Sequence, residues 1–254
     1  MGISTSVPTV EVMKRLSYEL RLFGVHEGLE NRLNEFLSLN LHPFEYLRLI
    51  LEDEKLNRKQ RLAKSLQGRA RFRSEAELED WDHAVERGLS RPQFKELVSL
   101  SFFQNKENLI LIGSTGTGKT HLAIALGKKL CRDNASVKFF SVNLFLEECM
   151  AEKSSGRYLS FIKRMKKIDV LILDDFGLRN YSHEEATLLV DLIEERYRQG
   201  ILIITSQVTP EGWKKLFEDP VIAEAICDRI KNPSRLITLT GSTYRAKLKK
   251  PLSL

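Results

Sequence analysis

Asn108-Leu-Ile-Leu-Ile112-Gly113-Ser114-Thr115-Gly116-Thr117-Gly118-Lys119-Thr120 is a short apolar run followed by glycine, four further residues and Gly-Lys-Thr. Residues 121–130, HLAIALGKKL, continue it in helical spacing. The apolar run predicts a strand, and the order strand, glycine-rich turn, helix gives each residue type a physical task. Gly113, Gly116 and Gly118 let the backbone curl so that its N–H groups point inward at phosphate oxygens. Lys119 supplies positive charge for the β- and γ-phosphates, and the Thr120 hydroxyl suits Mg²⁺. Ser114, Thr115, Thr117 and His121 complete the expected cradle, with the positive end of the helix behind it. A second motif, Asp169-Val-Leu-Ile-Leu-Asp174-Asp175, reads as an apolar strand that delivers two carboxylates to the edge of a sheet. Asp174 is expected to hold Mg²⁺ beside Thr120, and Asp175 to orient or deprotonate an attacking water. With no Asn-Lys-x-Asp guanine-reading motif in the chain, ATP is the expected nucleotide.

Outward from these motifs the pattern alternates. Residues 108–112, 137–142, 169–173, 201–205 and 236–239 are five short apolar strand candidates. Uninterrupted runs of this kind suit strands covered on both faces, as in a parallel sheet. Ser182 and Glu185 form a capping box for one intervening helix, which Gly200 ends, and Thr209-Pro210 starts another. Residues 9–66 are expected to be helical throughout, with Pro43 opening a third helix. Residues 74–100 read as a linker with a helix. The expected division is a helical N-terminal domain, 1–75, for DNA or partner binding, and an α/β ATPase domain, 76–254.

Composition sets outer limits. The chain has 254 residues, 42% of them hydrophobic, which is enough for a sizeable core and excludes a fully disordered protein. Its longest uncharged stretch, residues 199–210, is twelve residues. A membrane span needs about 20, so no membrane crossing is expected. The N-terminus lacks the pattern of a secretory signal. Cys131, Cys149 and Cys227 have neither disulfide-framework nor zinc-knuckle spacing, and read as buried thiols in a cytoplasmic protein.

The segments Glu107–Gly127, Leu171–Gly177, Ile204–Trp213 and Ala223–Ile230 resemble the IstB-type ATPases, helper proteins of bacterial insertion sequences. These are relatives of the DnaC helicase loaders within the AAA+ superfamily. Residues 21–33 and 45–54 are similar to the N-terminal part of that family, so the likeness covers about residues 10–245. The resemblance implies an AAA+ P-loop fold with a five-stranded parallel sheet, preceded by a small helical domain and without a C-terminal lid. It implies ATP and Mg²⁺ as cofactors, and duplex DNA, an IstA-type transposase and further copies of the chain as partners. Ser206 and Gln207 match the first sensor region. Arg229 matches the arginine that AAA+ assemblies place in a neighbour's active site, and Arg245 lies near where others carry a second sensor.

The charge balance, 40 Lys and Arg against 34 Asp and Glu, is +6 and suits a polyanion partner. From Lys55 to Arg73 there are eight basic residues and no acidic one, including Arg58, Lys59, Arg61, Arg69, Arg71 and Arg73. A second cluster is Lys163, Arg164, Lys166 and Lys167, where the resemblance to DnaA and DnaC adds an insertion lining a central channel. The tail, Lys247, Lys249 and Lys250, is a third. Each competes with a solvated helix face. Without a recognition helix, backbone and shape readout is the expected mode. Two alternatives remain open from the sequence: a DnaC-like helicase loader, and a nucleotide-gated DNA-binding scaffold with little turnover.

Overall fold

A computed structural model describes residues 9–241 and residue 243. The chain divides into two compact units, Met1–Ser65 and Leu66–Leu254. The first contains α1 (Val10–Glu19), α2 (Phe23–Leu39) and most of α3 (Pro43–Ala70). Thr9 caps α1 by accepting from the Val12 amide, and Asn40 ends α2 in the left-handed conformation. This unit is pinned by polar contacts more than by apolar ones. Glu54, almost without solvent exposure, accepts from the Gly24 amide at 2.8 Å and from Arg58 Nε at 2.6 Å. Arg32 grips Asp53 through two hydrogen bonds of 2.7 and 2.8 Å. Leu20, Leu37, Phe44, Leu47 and Leu51 are left exposed.

The second unit carries α4 (Arg91–Val98), α5 (Ser101–Gln104), β1 (Asn108–Gly113), α6 (Lys119–Arg132), β2 (Val137–Ser141), α7 (Val142–Ser154), α8 (Tyr158–Lys166), β3 (Val170–Phe176), α9 (His183–Arg196), β4 (Ile201–Ser206), α10 (Pro210–Trp213), α11 (Pro220–Lys231) and β5 (Ser234–Leu239). The sheet is parallel throughout, in the order β2-β3-β4-β1-β5. Side chains alternate across it, as strand geometry requires. Ile110, Ile112, Leu171 and Leu173 join one core with Phe145, Phe161, Leu189 and Trp213. Leu109, Leu111, Val170 and Ile172 join the other with Leu122, Leu126, Trp81 and Phe94. Each of the five expected strands is present, and the Ser182–Glu185 capping box forms.

Two expectations about organisation are corrected. Residues 74–100 are not a linker: Ala76, Leu78, Trp81, Phe94 and Leu97 are buried in the second core. The two units also divide at 65/66, inside α3, rather than at 75/76. The segment 66–75 belongs with the sheet because it is anchored there. Lys138 Nζ donates to the Arg69 carbonyl at 2.9 Å. The Phe72 ring lies against Gly127, where a Cβ would come within 2.9 Å of it.

At the amino edge of the sheet, Arg196 is 1% exposed, with the charge of Asp169 nearby. Its guanidinium donates to the carbonyls of Met165, Ile168 (2.8 Å), Ile201 (2.9 Å) and Asp169 (3.4 Å), and burial pulls its pKa down to about 10. It thereby ties the end of α8 to the starts of β3 and β4. The cysteines are free thiols, all buried; burial pushes Cys131 up to about 11, Cys149 up to about 12, and Cys227 in the same direction. No helix among the described residues is long and apolar enough to cross a membrane. Replacing Arg196 by Met removes four hydrogen bonds to carbonyls in a dry site, of which those of Met165 and Asp169 keep a backbone amide donor. It should lower unfolding stability by about 2–4 kcal/mol, read from the urea midpoint; an unchanged midpoint would show that water substitutes for the guanidinium.

Candidate nucleotide-binding site

The cradle forms where β1 ends and α6 begins. Gly116 and Gly118 take φ values of +84° and +101°, a region that favours glycine. A Cβ on Gly113 would run into the Leu239 carbonyl, and one on Gly118 would lie 3.1 Å from Arg87 and 3.2 Å from the Trp81 ring. Lys119 Nζ spans the loop, donating to the Gly113 and Ser114 carbonyls at 2.7 and 2.9 Å. Thr117 Oγ1 donates to the same Ser114 carbonyl at 2.9 Å. The loop therefore holds its curl through its own side chains.

Facing it are the carboxylates at the end of β3. Asp174 has no solvent exposure. Its Oδ1 accepts from Thr120 at 2.8 Å and from Thr205 at 2.6 Å, and its Oδ2 lies 2.7 Å from Arg73 Nη2. Burial pushes its pKa above the usual carboxylate range, and the two hydroxyls and the guanidinium oppose that rise. Asp175 sits at an irregularity in the β3–β4 pairing with φ +62°, costly for a residue other than glycine. Its amide donates to Thr205 Oγ1 at 2.9 Å, and its carboxylate turns toward the cradle, 3.6 Å from Arg73 Nη1. Arg73, Lys119, Thr120, Asp175 and Gln207 line one open cavity of about 710 Å³, with Asp80, Arg87 and His121 on its far side. His121 Nε2 lies 3.1 Å from the Glu77 carbonyl.

The donors suit a hard cation. Thr120 and Asp174 offer only oxygens, and among the described residues there is no cluster of three or more His, Cys, Asp or Glu. Mg²⁺ binds in this way, through one or two protein oxygens, with phosphates and water completing its shell. The guanidinium against Asp174 Oδ2 shows that the position already attracts positive charge.

Other expected site residues are distributed differently. Gln207 Oε1 accepts from Thr115 Oγ1 at 2.9 Å, across the mouth of the cradle. Ser206 is a correction: it is buried and faces away, donating to the Phe176 carbonyl at 2.7 Å and accepting from Trp213 Nε1 at 3.1 Å. Successive residues on a strand point to opposite faces, so Thr205 and not Ser206 meets the carboxylates. Period-two counting along residues 201–207 would have found Thr205. Arg229, in the last turn of α11, lies 2.9 Å from Glu194 and donates to the Ala225 carbonyl at 3.2 Å. It lines a separate cavity of about 370 Å³ with Asn108, Gly200 and Ile201, at the amino edge of the sheet. Arg229 is therefore remote from the cradle of its own chain. Arg245 and the tail lysines lie outside the described residues, as does the place where a lid would follow.

The basic clusters also separate. Arg73, grouped by sequence with DNA-facing residues, is corrected to the nucleotide cavity, because Phe72 docks on α6 and points the next side chain inward. Arg58 pairs with Glu54, Arg61 stacks over the Phe23 ring at 4.1 Å, and Arg71 lies 3.6 Å from Glu148. Lys59 and Arg69 are exposed on α3. Arg164 pairs with Glu152 and Lys166 with Glu195, and Lys163, Lys166 and Lys167 share a shallow cavity with Gln199.

A parallel five-stranded sheet with a phosphate cradle after β1 and paired carboxylates near the end of β3 defines an AAA+ P-loop ATP-binding fold. The second unit accordingly resembles the crystal structure of the DnaC helicase loader, with a TM-score of 0.54 and 22% identity over 65% of this chain and 96% of that one. It also resembles AMPPCP-bound DnaA from Aquifex aeolicus, with a TM-score of 0.55 and 22% identity over 70% of this chain and 54% of that one. The model of the IstB-like ATP binding protein family matches residues 16–251, and the chain belongs to that family. It is 33% identical to the insertion sequence IS21 ATP-binding protein of Pseudomonas aeruginosa, over 94% of this chain and 86% of that protein. It is likewise 33% identical to an insertion-sequence ATP-binding protein of Mycobacterium tuberculosis, over 90% and 91%.

The raised pKa of Asp174 has a definite sign for stability. Its folded form binds a proton more tightly than the unfolded chain, so ionising it weakens the fold as pH rises through that interval. Without nucleotide, Asp174→Asn should raise the thermal midpoint at pH 7 relative to the unsubstituted chain. The advantage should vanish as pH falls below the unfolded carboxylate's value near 4; a gain equally large at pH 3 would contradict this origin.

Proposed function

We propose that the protein is the ATP-dependent helper of an insertion-sequence transposition system in the bacterial cytoplasm. Copies of it assemble on duplex DNA, and the assembly recruits or stimulates an IstA-type transposase. The observation that carries this reading is the polarity of the sheet unit: Lys119 stands at one edge and Arg229 in a cavity at the other. Head-to-tail stacking of copies brings the Arg229 of one protomer to the triphosphate of the next. Family membership and the names of the relatives support the insertion-sequence setting.

Within one site, the cradle amides and Lys119 orient the triphosphate. Thr120 and Asp174 hold Mg²⁺, which supplies neutralising charge at the β- and γ-phosphates. Asp175 lies in the same cavity and accepts the proton of the attacking water, or orients that water, while Gln207 is held by Thr115 at the mouth of the cradle. Lys163, Lys166 and Lys167, with Lys59 and Arg69, provide cations for the DNA backbone, each neutralised phosphate steepening the salt dependence by about 0.9 in log–log slope.

The decisive measurement is particle size with duplex DNA and a non-hydrolysable ATP analogue. The unsubstituted chain should form large assemblies only when both are present, and Lys119→Ala should remain small. Arg229→Ala should keep nucleotide binding but lose turnover by about 10³-fold or more, read by phosphate release. A monomer indifferent to nucleotide and duplex, or full turnover without Arg229, would overturn the reading.

A further inference from the structure

Arg73 is not explained by the cradle, the water-handling carboxylate or the DNA-facing clusters, yet it touches the groups assigned to the metal. Its Nη2 lies 2.7 Å from Asp174 Oδ2 and donates to Thr120 Oγ1 at 3.2 Å, and its Nη1 is 3.6 Å from Asp175 Oδ2. The backbone on both sides is fixed. Phe72 docks against Gly127 on one flank, and on the other Lys128 pairs with Glu75 and Glu77, Glu77 also meeting Arg132. The side chain itself is 43% exposed and opens into the cavity that Lys119 lines. A rigid tether with a half-exposed head lets the guanidinium change partners while the fold stays as it is.

A guanidinium paired with Asp174 Oδ2 and hydrogen-bonded to Thr120 competes directly with a divalent ion for the same oxygens. We propose that Arg73 is a resident cation of this site. It neutralises Asp174 and Asp175 when no metal is present, and gives up their oxygens to the metal-bound triphosphate. This rests on the nucleotide-site reading above and adds a role to it. Without Arg73, two adjacent carboxylates, one of them fully buried, face a polyanion with one cation fewer in the cavity. Arg73 thus acts as a positioning residue whose contribution is greatest in the absence of metal.

The test is affinity for a fluorescent, non-hydrolysable ATP analogue, measured in EDTA and in Mg²⁺. Arg73→Gln should weaken binding in EDTA about tenfold and leave binding in Mg²⁺ unchanged or tighter. Arg73→Lys, which keeps the charge, should restore most of the EDTA affinity, and it keeps the proposal testable if the glutamine variant folds poorly. Titration of nucleotide-free protein with Mn²⁺, followed by electron paramagnetic resonance, should show tighter ion binding in Arg73→Gln than in the unsubstituted chain. Equal losses in EDTA and Mg²⁺ would reduce Arg73 to an ordinary phosphate contact, and no loss in either would remove it from the site; both overturn the proposal. Lys119→Ala, run alongside, should lose affinity in both media. If it does not, the nucleotide-site assignment fails, whatever Arg73 shows.

Discussion

Burying a carboxylate without compensation costs several kcal/mol, and the sheet unit offsets part of that cost at Asp174. Its partners come from three parts of the chain. Thr120 opens α6, Thr205 lies near the end of β4, and Arg73 arrives on the segment that follows α3. Each must be in place for the charge to be tolerated, so the site and the packing around it are not separable. The same Thr205 hydroxyl also receives the Asp175 amide, which holds that residue in its left-handed backbone conformation. A single small side chain thus links Asp174 to Asp175.

The parallel sheet converts this local arrangement into a polar molecule. All five strands run the same way, so the ends of β1 and β3 place the cradle and the carboxylates at one edge. The helices that return to the other edge bring cations with them. α9 ends in Arg196, and the last turn of α11 carries Arg229; the two line a cavity together. The cradle with its carboxylates and the cavity of Arg196 and Arg229 therefore occupy opposite ends of the unit.

Much of this was legible in the residues. The cradle has a fixed spacing, and each apolar run is bounded by polar residues, so strand positions and the phosphate loop could be read directly. The end of β3 was harder: apolar character stops at Leu173, whereas the strand continues through both aspartates to Phe176 because Thr205 and the β4 pairing carry it on. Motif position points to Ser206, and only the alternation of the strand brings Thr205 to the carboxylates instead. Arg73 was misgrouped because a run of basic residues looks uniform in sequence. Its direction is set by Phe72 meeting Gly127, a contact between residues 55 positions apart. Trp81 and Phe94 likewise lacked a periodic context, and their burial depends on a surface of α6 that no local pattern describes.

The three cysteines have a practical consequence. Each is sealed in the core, and burial holds each thiol well above neutral pH in its titration, so the fraction present as reactive thiolate is very small. The chain consequently behaves as its own silent background toward maleimides. A cysteine engineered at any chosen surface position becomes the site where a dye or spin label attaches, with the native core left intact. Any association of copies can then be followed by energy transfer on a molecule that differs from the natural one at a single residue.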